Sequence, residues 1–417
     1  MLKRQARGTC LPQPKGDIMD TQKLLASRTA VMEVSAIREI LKVTAQPGMI
    51  SLAGGLPAPD SFPIDILQDL CREVLADWGP TALQYSPTEG FGPLREALAD
   101  LLARRKVPVV AEDILVASGS QGVLDALGMV LIAKGDAVAV EAPTYLGALQ
   151  AFNPYEPKYV RIAMDDGGVM PEALEAVLRD TPVKFIYLVP TFQNPTGRTL
   201  SLGRRKAIAR LLQRYDALLV EDDPYRDLRY QGSSLPPIKS LAPDHVAYIG
   251  TLSKIFAPGL RIGFCAVPKT LRSWLVMAKQ GIDLHTSTFN QALAARYISG
   301  GHLMQHLPRV LKIYRPRQQA MLEALARHFP AQYQWTRPEG GMFLWVTGPR
   351  GMDMEYVYHR AVARKVAFVP GKFFFTDPGE GRETLRLNFS TVDPPTIERG
   401  IAILGEVLAE SVGVKSN

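Results

Sequence analysis

Cysteine is scarce in this chain, which has three, Cys10, Cys71 and Cys265, among 417 residues. They are too few and too far apart for a disulfide framework or a C-x-x-C metal site, and their scarcity fits a reducing cytoplasm. Long apolar runs are also missing, none approaching the roughly 18 residues of a membrane span. Residues 1–18 carry Lys3, Arg4 and Arg7 but no apolar stretch that could serve as a signal-peptide core, and are expected to be a disordered extension. Of the six histidines, only His302 and His306 have helical i, i+4 spacing, and they lack the Glu of H-E-x-x-H, so no metal is expected. Neither sign of charge dominates, because 48 Lys+Arg against 41 Asp+Glu leave +7. The densest basic clusters, Arg104-Arg105-Lys106, Arg204-Arg205-Lys206 and Arg315-Pro316-Arg317, fall short of the basic runs of about 5–8 residues that mark nucleic-acid patches. No nucleic acid and no membrane is expected as a partner.

What is present is ample material for a core: 47% of the residues are hydrophobic and 21% charged. At about 150 residues per domain, that length predicts two or three domains. Between residues 110 and 270, short apolar runs (Asp113–Ala117, Ala137–Val140, Lys184–Val189, Ala217–Glu221, Ala247–Gly250, Gly263–Val267) alternate with the helical patterns Gln121–Ala133, Pro171–Leu178 and Ser201–Tyr215. This rhythm predicts an α/β fold with a mostly parallel central sheet and helices on both faces. In such sheets ligands bind beyond the carboxyl ends of the strands. From residue 290 the pattern turns helical, through Asn290–Ser299 and Leu303–His328. Strand candidates at Met342–Val346, Ala367–Val369 and Thr384–Asn388 and a helix at Thr396–Ser411 follow, predicting a smaller α+β domain.

Four motifs stand at predicted strand ends. Thr251-Leu252-Ser253-Lys254 follows Ala247–Gly250, with Arg261 seven residues beyond the lysine. A lysine there is partly desolvated, which lowers its pKa and makes its amine a nucleophile toward an aldehyde, so Lys254 is the candidate for a Schiff base. Hydroxyls of Thr251 and Ser253 and the Arg261 guanidinium suit a phosphate; the alternative is a surface lysine in a loop. Ser118-Gly119-Ser120-Gln121-Gly122 joins a strand to a helix whose amino terminus attracts anions, either a phosphate cradle or a plain turn. Glu221-Asp222-Asp223-Pro224-Tyr225 buries acidic groups that need a cation, a protonated ring nitrogen or a metal. In Asn194-Pro195-Thr196-Gly197, otherwise a simple turn, the Asn194 amide can donate to a cofactor oxygen.

Taken together, these motifs resemble the pyridoxal-phosphate enzymes of fold type I, specifically the class I aminotransferases, from about residue 20 to the end. The resemblance implies pyridoxal 5'-phosphate as cofactor and transamination in two half-reactions. Lys254 would carry the cofactor, Asp222 would pair with its ring nitrogen, and Asn194 and Tyr225 would contact its ring hydroxyl. Ser120, Gln121, Thr251, Ser253 and Arg261 would hold its phosphate. Tyr145, in Pro143-Thr144-Tyr145, matches the residue that stacks on the ring, and Tyr85 matches a phosphate contact donated by the partner subunit of a homodimer. Arg386, in Arg386-Leu387-Asn388-Phe389-Ser390, matches the arginine that grips the substrate α-carboxylate. Gly122 departs from the family pattern, which more often has glutamine there.

A narrower resemblance, to the α-aminoadipate aminotransferase group, rests on Ser35-Ala36-Ile37-Arg38-Glu39-Ile40-Leu41 and Ser51-Leu52-Ala53-Gly54-Gly55-Leu56-Pro57. At 100° per residue Arg38 falls within or beside the apolar stripe of Val34, Ile37 and Leu41, where an arginine needs an anion or a route to water. The group implies a mobile helix whose arginine reaches the second carboxylate of 2-aminoadipate or glutamate, and Gly54 and Gly55 allow close backbone approach to the substrate. A broad aromatic, branched-chain or kynurenine aminotransferase is the alternative, and a non-catalytic cofactor-binding regulator a further one. The expected division is an amino-terminal segment (19–63), a large cofactor domain (64–302) and a small carboxyl-terminal domain (303–417).

Overall fold

The computed structural model describes residues 21–32, 40, 42–44 and 46–411. The 1–18 extension, Arg38 and most of the segment 34–41 expected to be helical lie outside the described residues. The strands are β1 (Ile50–Ser51), β2 (Ile114–Ser118), β3 (Ala137–Glu141), β4 (Lys158–Ile162), β5 (Met164–Asp165), β6 (Gly168–Val169), β7 (Val183–Leu188), β8 (Leu219–Asp222), β9 (Val246–Thr251), β10 (Ile262–Ala266), β11 (Gln334–Trp335), β12 (Phe343–Thr347), β13 (Val366–Ala367), β14 (Val369–Pro370) and β15 (Thr384–Asn388).

Seven of them form the central sheet, in the order β2-β10-β9-β8-β7-β3-β4. Pairing is parallel from β9 through β8, β7 and β3 to β4, whereas β10 runs antiparallel to both β9 and β2. The reversal has a functional consequence. It leaves β2 aligned with β9, so the carboxyl ends of β2, β3, β7, β8 and β9 share one edge, and it brings the start of β10 to that same edge. Arg261, one residue before β10, therefore arrives beside Ser118, which pairs with Ile262.

Side chains in these strands alternate between two cores, as a strand period of two requires. Val138, Phe185, Tyr187 and Val220 pack into one cluster, while Ala139, Ile186, Leu188 and Leu219 pack into a second beneath helices Pro171–Asp180 and Leu202–Tyr215. Each fully buried branched or aromatic side chain contributes on the order of 1.5–3 kcal/mol relative to exposure. Helix Gly119–Leu131 covers the first face with its amino terminus at the functional edge.

A four-stranded sheet, β11-β12-β15-β14, holds Arg386 in the middle of β15, opposite Trp345 of β12. Strand β1 pairs in parallel with β13, tying the amino-terminal segment to the carboxyl-terminal region. Helix His302–His328 runs through Pro308 and Pro316 without interruption and packs on Pro394–Ser411. Strand β4 and the helices Ile64–Ala82, Gly92–Arg104 and Lys269–Ile282 are not among the elements expected from the sequence pattern. In β4, Lys158, Tyr159 and Arg161 break up the apolar character because this is the sheet's edge strand.

Candidate active site

A cavity of about 460 Å³ lies over the carboxyl edge, lined by Ser120, Gln121, Tyr145, Asn194, Asp222, Tyr225, Thr251, Ser253, Lys254 and Arg261. Ten of the residues singled out from sequence motifs thus meet in one place, because successive parallel strands deliver their ends to it. A roomier groove of about 680 Å³ between residues 197–202 and 334–347 is lined by none of the candidate cofactor residues.

Glu221 and Asp222 end β8 and Asp223 follows it, and the three point to different partners. Glu221 turns to the second core and accepts from the amides of Ile238 and Lys239, both at 2.8 Å. Asp223 accepts from Arg226 at 2.6 Å and Tyr248 at 3.1 Å. Asp222, on the cavity side, accepts the Tyr187 hydroxyl on Oδ2 at 2.8 Å, and its buried Oδ1 has no partner. Burial raises the Asp222 carboxyl to about 7, against the opposing hydrogen bond from Tyr187. A cation facing Oδ1 would restore the carboxylate.

Lys254 Nζ donates to the Gly55 carbonyl at 3.0 Å. Burial, reinforced by Arg386 and Arg261, lowers its pKa to about 8, which makes the amine available near neutral pH. Gly55 is required by close approach, since a Cβ there would stand 2.9 Å from Phe343 Cζ.

The anion cradle is built from backbone and hydroxyls. Gly119 has φ +77°, its amide donates to the Arg261 carbonyl at 3.0 Å, and a Cβ at this position would overlap the Arg261 guanidinium. Arg261 itself bonds the carbonyls of Ser118 at 3.2 Å and Pro258 at 3.3 Å; among the described residues no carboxylate neutralises it. Thr251 Oγ1 donates to Ser253 Oγ at 3.0 Å, and Gln121 Nε2 to the Gly147 carbonyl at 2.8 Å. The first turn of helix Gly119–Leu131 adds its free amides and dipole.

Arg386 is fully buried, with Nη1 on Asn194 Oδ1 at 2.8 Å and Nη2 on the Ala53 carbonyl at 2.7 Å, while Nε has no partner. It lies between the rings of Phe343 (4.3 Å) and Phe374 (4.9 Å). Its partners are neutral carbonyls, so its charge is unmatched, and burial lowers its pKa to about 10. Asn194 Nδ2 also donates to the Tyr225 hydroxyl at 3.3 Å, which links the two regions of the site.

Tyr85 does not line its own chain's cavity. It is 78% exposed and meets His285 edge-on at 5.7 Å. Tyr187, Glu141, Phe343 and Phe374 lie outside every motif singled out from the sequence, and Ala53 lies inside one without a role of its own. Tyr187 and Phe343 lie inside apolar strands and read as core; a fully buried tyrosine hydroxyl must find an acceptor, and that was the available signal. Among the described residues no three His, Cys, Asp or Glu side chains cluster to hold a metal, and no helix is long and apolar enough to cross a membrane.

The donor set fits pyridoxal phosphate. An unpartnered buried carboxylate oxygen and a desolvated lysine amine share one cavity with an unneutralised arginine, hydroxyls and a helix amino terminus. The sheet order and this donor set are those of a fold type I pyridoxal-phosphate enzyme. Residues 52–404 match the family Aminotransferase class I and II, and the chain belongs to that family. It is 45% identical to aromatic-amino-acid aminotransferase 1 of Thermococcus litoralis over 94% of this chain and 96% of that one. With the 2-aminoadipate transaminase of Thermus thermophilus it shares 42% identity over 90% of this chain and 94% of that one. The solved structure of α-aminoadipate aminotransferase from Thermus thermophilus, complexed with N-(5'-phosphopyridoxyl)-L-leucine, superposes with a TM-score of 0.88 at 38% identity, covering 95% of this chain and all of that one. The protein is a pyridoxal-phosphate aminotransferase acting on amino and 2-oxo acids.

Proposed function

We propose that the enzyme moves the amino group between 2-aminoadipate or glutamate and a 2-oxo acid, 2-oxoglutarate or 2-oxoadipate. The observation that carries the transamination chemistry is the unpartnered Asp222 Oδ1 across the same cavity from the Lys254 amine, with Arg386 bonded to Asn194 at its wall. When bound, pyridoxal phosphate supplies an electrophilic carbon for the substrate amine and a protonated ring that accepts the electrons released at the substrate's α carbon.

The chain's own residues do the rest. Asp222 Oδ1 would accept from the protonated ring nitrogen. Asn194 and Tyr225 would hold the ring hydroxyl, and Tyr145 would pack against the ring. Ser120, Gln121, Thr251, Ser253 and Arg261 fix the phosphate. With the cofactor bound, Lys254 Nζ would be the base that takes a proton from the substrate's α carbon. Arg386 binds the α-carboxylate through its two-pronged donor fork. Tyr85, turned away from its own cavity and exposed, serves the partner's phosphate in a homodimer, and residues 19–63 with 303–417 form a small unit against the cofactor unit 64–302, consistent with the β1–β13 pairing.

For the substrate, the reading rests on Arg38, which would meet the second carboxylate, and is supported by the similarity to the Thermus 2-aminoadipate enzyme. The similarity to the Thermococcus aromatic-amino-acid enzyme supports a second reading, in which aromatic, branched-chain or kynurenine donors are accepted as well. A panel of amino acids assayed with 2-oxoglutarate and 2-oxoadipate separates the two. On the first reading Arg38→Ala raises KM chiefly for dicarboxylic donors; equal effects on leucine and 2-aminoadipate overturn it.

A further inference from the structure

Tyr187 lies in the middle of the sheet, on β7, fully buried among apolar side chains, with Phe152 edge-on at 5.9 Å. No motif contains it. Its hydroxyl donates to Asp222 Oδ2 at 2.8 Å, the one hydrogen bond that the Asp222 side chain makes among the described residues. The other carboxylate oxygen is buried and unpartnered. A buried carboxylate can rotate about its last torsion, and anchoring one oxygen decides where the other points. It also decides the charge, because a hydrogen bond donated to a carboxylate favours the ionised form.

That support matters here because the surroundings oppose ionisation. Asp223 stands next in sequence, Glu141 ends β3 on the far side of β7, and Tyr145 and Tyr225 line the cavity. Arg386, Arg261 and the Lys254 amine are the cationic groups that face this region. Asp223 is matched by Arg226 at 2.6 Å. Glu141 Oε2 accepts the Val189 amide at 3.0 Å, and burial raises its carboxyl to about 8, so it does not compete as an anion near neutral pH. Asp222 has no protein cation bonded to it, and the hydroxyl of Tyr187 is its one fixed donor.

We propose that Tyr187 is a positioning residue for the cofactor ring. By holding Oδ2, it aims Asp222 Oδ1 at the ring nitrogen and keeps that carboxylate ionised. The inference rests on the reading of Asp222 given above, and the two can fail separately.

The test compares dissociation constants, measured by equilibrium dialysis on the apo-protein, for pyridoxal phosphate and for its 1-deaza analogue, in which carbon replaces the ring nitrogen. The wild type is expected to prefer pyridoxal phosphate. In Tyr187→Phe, which removes only the hydroxyl, that preference is expected to shrink on the order of tenfold, the scale of one hydrogen bond to a charged group. Affinity for the deaza analogue is expected to stay within about threefold of wild type, a difference of under about 1 kcal/mol. A merely structural role would weaken both ligands equally, and that result overturns the proposal. An unchanged preference in Tyr187→Phe also overturns it while leaving the Asp222 reading intact. If the wild type itself shows no preference, the Asp222 reading fails first. Should Tyr187→Phe not fold, 3-fluorotyrosine at position 187 keeps the ring and is a stronger donor; the preference is then expected to grow, and a fall contradicts the proposal.

Discussion

Gly119→Ala isolates the phosphate end of the site. Gly119 has φ +77°, and an added Cβ would overlap Arg261, whose own carbonyl accepts the Gly119 amide at 3.0 Å. Two effects follow from one methyl group. An alanine in the left-handed region costs about 1–2 kcal/mol, which appears as lost stability of the apo-protein. The guanidinium must also move from the mouth of helix Gly119–Leu131, and a charge-assisted hydrogen bond lost there is worth about 1.5–3 kcal/mol, or roughly 10- to 150-fold in a dissociation constant. The assay is dialysis of the apo-variant against pyridoxal phosphate and against pyridoxal, which lacks the phosphate. The first affinity should fall at least about tenfold and the second by less than about threefold. Equal losses for both ligands, or none, would refute the assignment of Gly119 and Arg261 to the phosphate.

Glu141→Gln tests the buried acidic layer through pH. The folded Glu141 carboxyl is raised from 4.5 to about 8, so its stabilising contribution is present below pH 4.5 and is lost as pH rises through 8. The variant escapes that loss. Denaturant unfolding of the apo-protein should show it gaining on the wild type between those limits, with a slope of up to about 1.4 kcal/mol per pH unit; a difference independent of pH contradicts this. Arg386→Lys replaces the fork with a point charge between Phe343 and Phe374. Its kcat/KM should fall roughly 10- to 150-fold for leucine and 2-aminoadipate alike, because both present the same α-carboxylate. A loss confined to the dicarboxylic donor would assign Arg386 to the wrong end of the substrate.

The residues that are neighbours in sequence were the legible ones. Thr251, Ser253 and Lys254, or Asp222 and Tyr225, lie within a few positions of one another, and the strand rhythm places each group at the same sheet edge. The contacts that complete the site are remote in sequence. Lys254 bonds Gly55 and Arg386 bonds Ala53 only because β1 joins β13 beside β15, a pairing that no local pattern announces. Glu221, Asp222 and Asp223 look alike as a string; only the pleat and the partners of each show which oxygen is left free. Tyr187 was hidden for a related reason, since an apolar strand reads as core whether or not a hydroxyl at its end bonds a carboxylate. The antiparallel turn of β10 is equally silent in composition, yet it sets Arg261 against Gly119.

Mapping the site of cofactor attachment would weigh most heavily on this account. The protein, incubated with pyridoxal phosphate and reduced with borohydride, should carry a single phosphopyridoxyl group, found by peptide mass spectrometry on Lys254, and Lys254→Ala should carry none and show no turnover. Attachment to another lysine, or an unlabelled protein, would contradict it.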